Sequence, residues 1–254
     1  MKLQEHAWRV AKPLLERRGF ELRRTSMGRD DWDLYPLLIR LLREQQADVV
    51  LDVGANRGGF VDRLRGAGYE GRVISFEPLP GPFAVLAGRA ASDRRWDVAE
   101  TALSDAAGRE RMSRSGDGDV TSSLLPTAQA MVQALPAATP GEQLEVAVST
   151  VDAEVARRIA AGDRAFLKID TQGNELAVLR GAQATLPRTV GVLAELSLVE
   201  LYEGQALFGE IVDWLAERGF LLLAMAPAFH DPRSGQLLQV DALFGELRGS
   251  AGEH

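Results

Sequence analysis

The chain has 254 residues, 46% of them hydrophobic, which suits one α/β domain with a sizeable core. A formal net charge of −7 argues against a basic track along nucleic-acid phosphates. The absence of cysteine excludes disulfides, thiolate metal sites and a cysteine nucleophile, and no apolar run reaches the length of a membrane span.

No signal-peptide pattern opens the chain, so a cytoplasmic protein is expected. No internal repeat is present. Residues 1–26 are basic, and Trp8, Val10, Ala11, Leu14 and Leu15 can share one helical face. Arg17–Arg18 and Arg23–Arg24 read as solvated surface. Asp31 or Asp33 could cap a leucine-rich helix running from Leu34 to about Gln45. Residues 1–45 therefore read as an N-terminal helical extension, and 46–254 as the main domain.

Val49–Val53 is a β-rich apolar run that suits a buried parallel strand. A glycine turn follows, then a helical pattern through Phe60, Val61 and Leu64. The run from Gly54 is G-A-N-R-G-G, with Asn56 where a dinucleotide fingerprint needs its second glycine. No G-K-[ST] follows, so this is not a P-loop. Asp52 before the turn and helix N–H groups after it suit a zwitterion, an ammonium facing Asp52 and a carboxylate facing the helix end. Gly54, Ala55, Asn56, Gly58 and Phe60 are the turn residues expected around that ligand.

Arg72–Phe76 is the second strand and ends at Glu77-Pro78. Glu77 sits where nucleotide folds place a ribose-binding carboxylate, which can accept from both hydroxyls. A ligand with an amino-acid end and a ribose end is S-adenosylmethionine. Trp96–Leu103 alternates as a third strand. Ala102, Leu103 and Ser104 then become candidates to meet an adenine edge, though a plain turn reads as well. Residues 109–145 break the periodic pattern and suit either a lid or a disordered insertion. Val146–Asp152 re-enters as a strand leading into a helix.

Phe166–Asp170 is strand four, with Lys168 and Asp170 on one side and Asp170 at the carboxyl end, where doubly wound sheets bind ligands. Val190–Ser197 is strand five and carries Glu195. Strand six, Phe220–Ala226, is separated from strand seven, Leu237–Phe244, only by the loop Pro227–Gly235, which holds His230. With no helix between them, these two strands pair antiparallel. The expected fold is a Rossmann-like α/β architecture, a seven-stranded mostly parallel sheet whose last strand is antiparallel, as in class I methyltransferases.

The motifs Leu51-Asp52-Val53-Gly54-Ala55-Asn56, Phe76-Glu77-Pro78 and Leu167-Lys168-Ile169-Asp170-Thr171-Gln172-Gly173-Asn174-Glu175 occur in order. Leu179-Arg180-Gly181-Ala182, Glu195, Tyr202-Glu203-Gly204, Gly219-Phe220 and Val240–Phe244 follow. Together these resemble the FkbM-type S-adenosylmethionine-dependent methyltransferases over roughly residues 47–247. The resemblance implies methyl transfer to a hydroxyl oxygen of a small molecule or sugar, often in natural-product or polysaccharide pathways.

An alcohol attacks poorly unless a base removes its proton. Asp170, His230 and Glu195 are the candidates for that base, and Tyr202 could wall the acceptor pocket. A magnesium ion on Asp170 is an alternative, but no second oxygen ligand is evident, so no metal is expected. Rival readings are an NAD-dependent oxidoreductase, disfavoured by Asn56 and the terminal hairpin, and an inactive methyltransferase-like scaffold. Neither a nucleic acid nor a membrane is expected as partner; a homodimer is compatible with the sequence.

Overall fold

The structure, a computed structural model, describes residues 33–245. The basic helix expected within residues 1–26, and the cap expected from Asp31, lie outside the described residues. The leucine-rich helix α1 forms at Tyr35–Glu44, with Leu34 in the cap position. Its Leu38, Ile39, Leu41 and Leu42 are buried with Val50, Phe60 and Phe166. The stretch read as extension thus contributes to the core of the domain.

Strand β1 (Val49–Val53) is buried at every position, as a parallel strand covered on both faces must be. It leads through the glycine turn into α2 (Gly59–Gly66). Then come β2 (Arg72–Phe76), α3 (Pro80–Ala90) and β3 (Trp96–Ala99). After a smaller sheet, α5 (Val151–Arg158), which follows α4 (Gln129–Ala134), leads to β7 (Ala165–Ile169). Helix α6 (Glu175–Arg180), β8 (Thr189–Ser197), α7 (Phe208–Ala216), β9 (Leu221–His230) and β10 (Leu237–Gly245) complete the chain. The main sheet has seven strands in the order β3-β2-β1-β7-β8-β10-β9, with β10 antiparallel to both neighbours. This is the Rossmann-like methyltransferase order. No helix of the described residues is long and apolar enough to cross a membrane.

The register decides where a ligand can sit. Val53 lies level with Phe76 on one side and Ile169 on the other. Gly54, Glu77 and Asp170 therefore leave three adjacent strands at one rim. The chain order reverses at β1, which makes that rim the natural crevice of the sheet.

Three expectations are corrected. The alternating run from Trp96 to Leu103 is two strands, because β3 ends at Ala99 and β4 (Ala102–Leu103) pairs with β6 (Pro140–Ser149) in a separate three-stranded sheet. Glu100 falls where the alternation calls for an apolar residue, and that break marks the change of sheet. Within 109–145, β5 (Gly108–Ser115) runs antiparallel to β6, so much of that stretch is regular structure. It lacked a core signal because its first residues are exposed and only Met112 and Ser115 of β5 are buried. Strand β9 also extends beyond Ala226 to His230. Pro227, which lacks an N–H, falls at a register shift on an edge strand, where the missing donor is tolerated.

Gly54 fixes the crossing at the rim. Its φ is +75°, and a Cβ there would lie 1.8 Å from the carbonyl oxygen of Asp170. Gly54→Ala should lower stability by about 3 kcal/mol or more in chemical denaturation, because both the conformation and the approach forbid the side chain. A loss below about 1 kcal/mol would show that the two strand ends separate easily.

Candidate active site

A cleft of about 150 Å³ opens at this rim. Of the residues expected there, Gly54, Asn56, Glu77, Pro78, Ala102, Leu103, Asp170 and Glu195 line it. Leu79, Met112 and Leu124 give it apolar walls.

Glu77 is buried, yet its carboxylate faces the cleft. Oε2 accepts from the backbone N–H of Asn56 at 2.9 Å, and Oε1 from that of Leu79 at 2.8 Å. Asn56 reaches Glu77 because it adopts a left-handed conformation, φ +47°, which asparagine tolerates well. Each carboxylate oxygen keeps a further lone pair. Burial pushes the Glu77 carboxyl up to about 7, against the opposing pull of those two N–H groups.

Asp52 was expected at an ammonium. It lies instead fully buried beneath the turn and does not line the cleft. Its Oδ2 accepts from Ser75 Oγ at 2.8 Å, and its Oδ1 lies 3.1 Å from Lys168 Nζ. The reason is the parallel register, which sets Asp52 directly beside Lys168. Lys168 Nζ also donates to the carbonyl of Gly54 at 2.9 Å and lies 3.7 Å from Asp170 Oδ2. Burial alone would lower the lysine pKa, but Asp52 and Asp170 more than offset it and hold the group protonated. Ala55 and Phe60, also expected at the ligand, pack in the core below, with Lys168 Nζ 5.6 Å from the Phe60 ring centroid. Gly58 caps α2 in a left-handed conformation, and Ser104 is buried at the carboxyl end of β4; neither lines the cleft.

At the far side, Asp170 is part exposed, and its Oδ1 accepts from Gln172 Nε2 at 2.8 Å. The same nitrogen donates to Glu195 Oε2 at 2.7 Å. Burial, together with the charges of Asp170 and Asp241, raises Glu195 well above the usual carboxylate range. Asp241, opposite Glu195 on β10, is pushed up to about 6 by burial and then by Asp170. Glu175 ties the loop from within, since its Oε1 accepts from the N–H groups of Thr171 and Gly173. His230 ends the edge strand β9, is exposed and does not line the cleft. Tyr202 is fully buried, and its hydroxyl donates to Gln172 Oε1 at 2.8 Å.

The loop after β5 roofs the cleft. Arg57 Nη1 donates to the carbonyl of Gly118 and Asn56 Nδ2 to that of Asp119. Arg114 grips Asp119 with two bonds of 2.9 Å, and Asp119, Val120 and Ser122 line the cleft. These residues carried no core periodicity; only their polar turn chemistry signals them. Among the described residues, no group of three or more His, Asp or Glu could hold a metal ion.

Residues 52–222 match the family described as "Methyltransferase FkbM domain". A curated relative, 31-O-demethyl-FK506 methyltransferase FkbM of Streptomyces tacrolimicus, is 34% identical over 202 residues, covering 70% of this chain and 74% of its own. Similar solved structures include TehB from Haemophilus influenzae, at 11% identity and a TM-score of 0.45, covering 84% of this chain and 62% of its own. A precorrin-6y C5,15-methyltransferase from Geobacter metallireducens matches at 11% identity and a TM-score of 0.43, covering 89% and 93%.

The buried ion pair gives a stability test. Lys168→Met should destabilise by about 3–5 kcal/mol in denaturant unfolding, because it strands the Asp52 charge in the interior. The double variant Asp52→Asn/Lys168→Met should recover most of that loss. Equal losses in both would mean that the pairing itself contributes little.

Proposed function

The chain belongs to the FkbM family of methyltransferases, and from that premise we propose that it uses S-adenosylmethionine to methylate a hydroxyl oxygen of a small-molecule acceptor. One observation carries the reading: a single cleft holds the capped but unfilled Glu77 carboxylate on one side and the Asp170–Gln172–Glu195 cluster on the other.

The residues present fit the cofactor. Glu77 has lone pairs left for the two ribose hydroxyls, and Pro78, Leu79, Leu103, Met112 and Leu124 offer apolar surface for the base. The Gly54 turn and the Asp170 backbone would receive the amino-acid end. When bound, S-adenosylmethionine supplies a methyl group on a positively charged sulfur, a good leaving group.

The protein's task is then placement and one proton. Asp170 is the carboxylate best sited to take the acceptor's proton, being part exposed at the carboxyl end of β7 and facing the cleft. Lys168 behind it steadies its position. Glu195 is deeper and holds its proton to higher pH, so it shapes the site rather than starting the transfer. The roof over the cleft, residues 116–124, acts as the lid that keeps water from the acceptor. The curated relative's name, 31-O-demethyl-FK506 methyltransferase, specifies an oxygen acceptor, which supports an O-methyl product here too.

Calorimetry with S-adenosylhomocysteine tests the cofactor half. Binding should be tightest above pH 8 and weaken as pH falls through about 7, because protonating Glu77 removes an acceptor that the ribose hydroxyls need. Glu77→Gln should weaken binding about tenfold and flatten that dependence; a pH dependence kept in the variant would take Glu77 out of the role. For the acceptor half, methyl transfer from labelled S-adenosylmethionine to a panel of hydroxyl compounds should fall at least about 10²-fold in Asp170→Asn. Undiminished turnover would remove Asp170 as the base.

A further inference from the structure

Gln172 stands in the turn between β7 and α6. Its backbone is left-handed, φ +54°, a conformation in which glutamine is uncommon. It is buried, and all of its side-chain polar groups are used. Nε2 has two hydrogens and two carboxylate acceptors, Asp170 at 2.8 Å and Glu195 at 2.7 Å. Oε1 accepts from the Tyr202 hydroxyl. Its own carbonyl accepts from Ser123 Oγ at 2.6 Å, so the backbone is tied to the roofing loop.

We propose that Gln172 is the positioning residue of this cleft: its amide fixes Asp170 and Glu195 relative to each other, and its backbone carbonyl ties their turn to the 116–124 loop. The inference rests on the methyltransferase reading of the cleft and deepens it. Two carboxylates at one strand rim repel, and a neutral donor between them lets both stay close with defined orientations. The two acids set which end of the amide faces them, because a flipped amide would point its oxygen at two carboxylates; the far end then accepts from the Tyr202 hydroxyl. Thr121, whose carbonyl also lies 3.1 Å from the Tyr202 hydroxyl, brings the loop into the same network. The pointing of the base thus depends on this side chain, while the backbone carbonyl of the same residue ties the turn to the roof.

The groups facing Glu195 are Asp170, Asp241, Glu175 and Gln172, with Gln239 Nε2 as a second donor at 2.9 Å. Losing the Gln172 donor leaves the charged form less supported. The test is a side-chain carboxyl NMR titration of the full chain, wild type against Gln172→Leu and Gln172→Asn, with S-adenosylhomocysteine affinity measured on each. The Glu195 midpoint should rise by about one pH unit in both variants. Leucine fills much the same space, so a role limited to packing predicts an unmoved midpoint, and that result overturns the proposal. Should Gln172→Leu not fold, Gln172→Asn decides, since asparagine accepts the left-handed backbone but is one methylene too short to reach both acids. Should neither fold, Tyr202→Phe decides, where a midpoint that does not rise overturns the proposal. A wild-type chain that binds no S-adenosylhomocysteine would fail the methyltransferase reading instead, whatever the titration shows.

Discussion

A buried lysine organises this molecule. Lys168 stands in the middle of β7, beside Asp52 of β1 and below Asp170, and donates to the carbonyl of Gly54. One ammonium group therefore compensates a buried carboxylate, anchors the glycine turn and reaches towards a carboxylate in the cleft. Breaking such a pair is expensive because the remaining charge stays in a poorly polarisable interior. The rim of the sheet is rigid for that reason, and the cleft it bounds has a fixed floor.

From that floor the two halves of the site diverge in chemistry. On the β2 side, Glu77 is buried and steadied by two backbone N–H groups, which leaves an acceptor waiting near neutral pH. On the β7–β8 side, Asp170, Glu195 and Asp241 crowd together, and Lys168 and the Gln172 amide offset their mutual repulsion. In the proposed methyl transfer to an alcohol, the Glu77 carboxylate receives the ribose hydroxyls and the Asp170 carboxylate the acceptor's proton. The sheet supplies one from each side of its switch point.

Much of this was legible in the sequence. The hydrophobic run before Gly54, the strand ending in Glu77 and the strand ending in Asp170 predict their elements because buried parallel strands leave an unmistakable apolar signature. The terminal hairpin followed from the missing helix. Local pattern could not reveal partners. Asp52 and Asp170 look alike in sequence, but only the parallel register shows that Lys168 takes the former into the interior. The change of sheet after Ala99 is marked in sequence only by the polar pair Glu100-Thr101, while the partner that defines it, β6, begins only at Pro140. Gln172 was visible only as a motif letter, since its role arises from contacts with residues 30 positions on at Tyr202 and 23 on at Glu195. His230 misled in the opposite way: a loop-like Pro-rich sequence continued as an edge strand, which carries it away from the cleft.

The most direct measurement is a crystal structure of the chain with S-adenosylhomocysteine. The account predicts the nucleoside across the ends of β1 and β2, with both ribose hydroxyls on the Glu77 carboxylate and the amino-acid end at the Gly54 turn beside Asp170. Density for the nucleoside elsewhere, or a ribose turned away from Glu77, would contradict it.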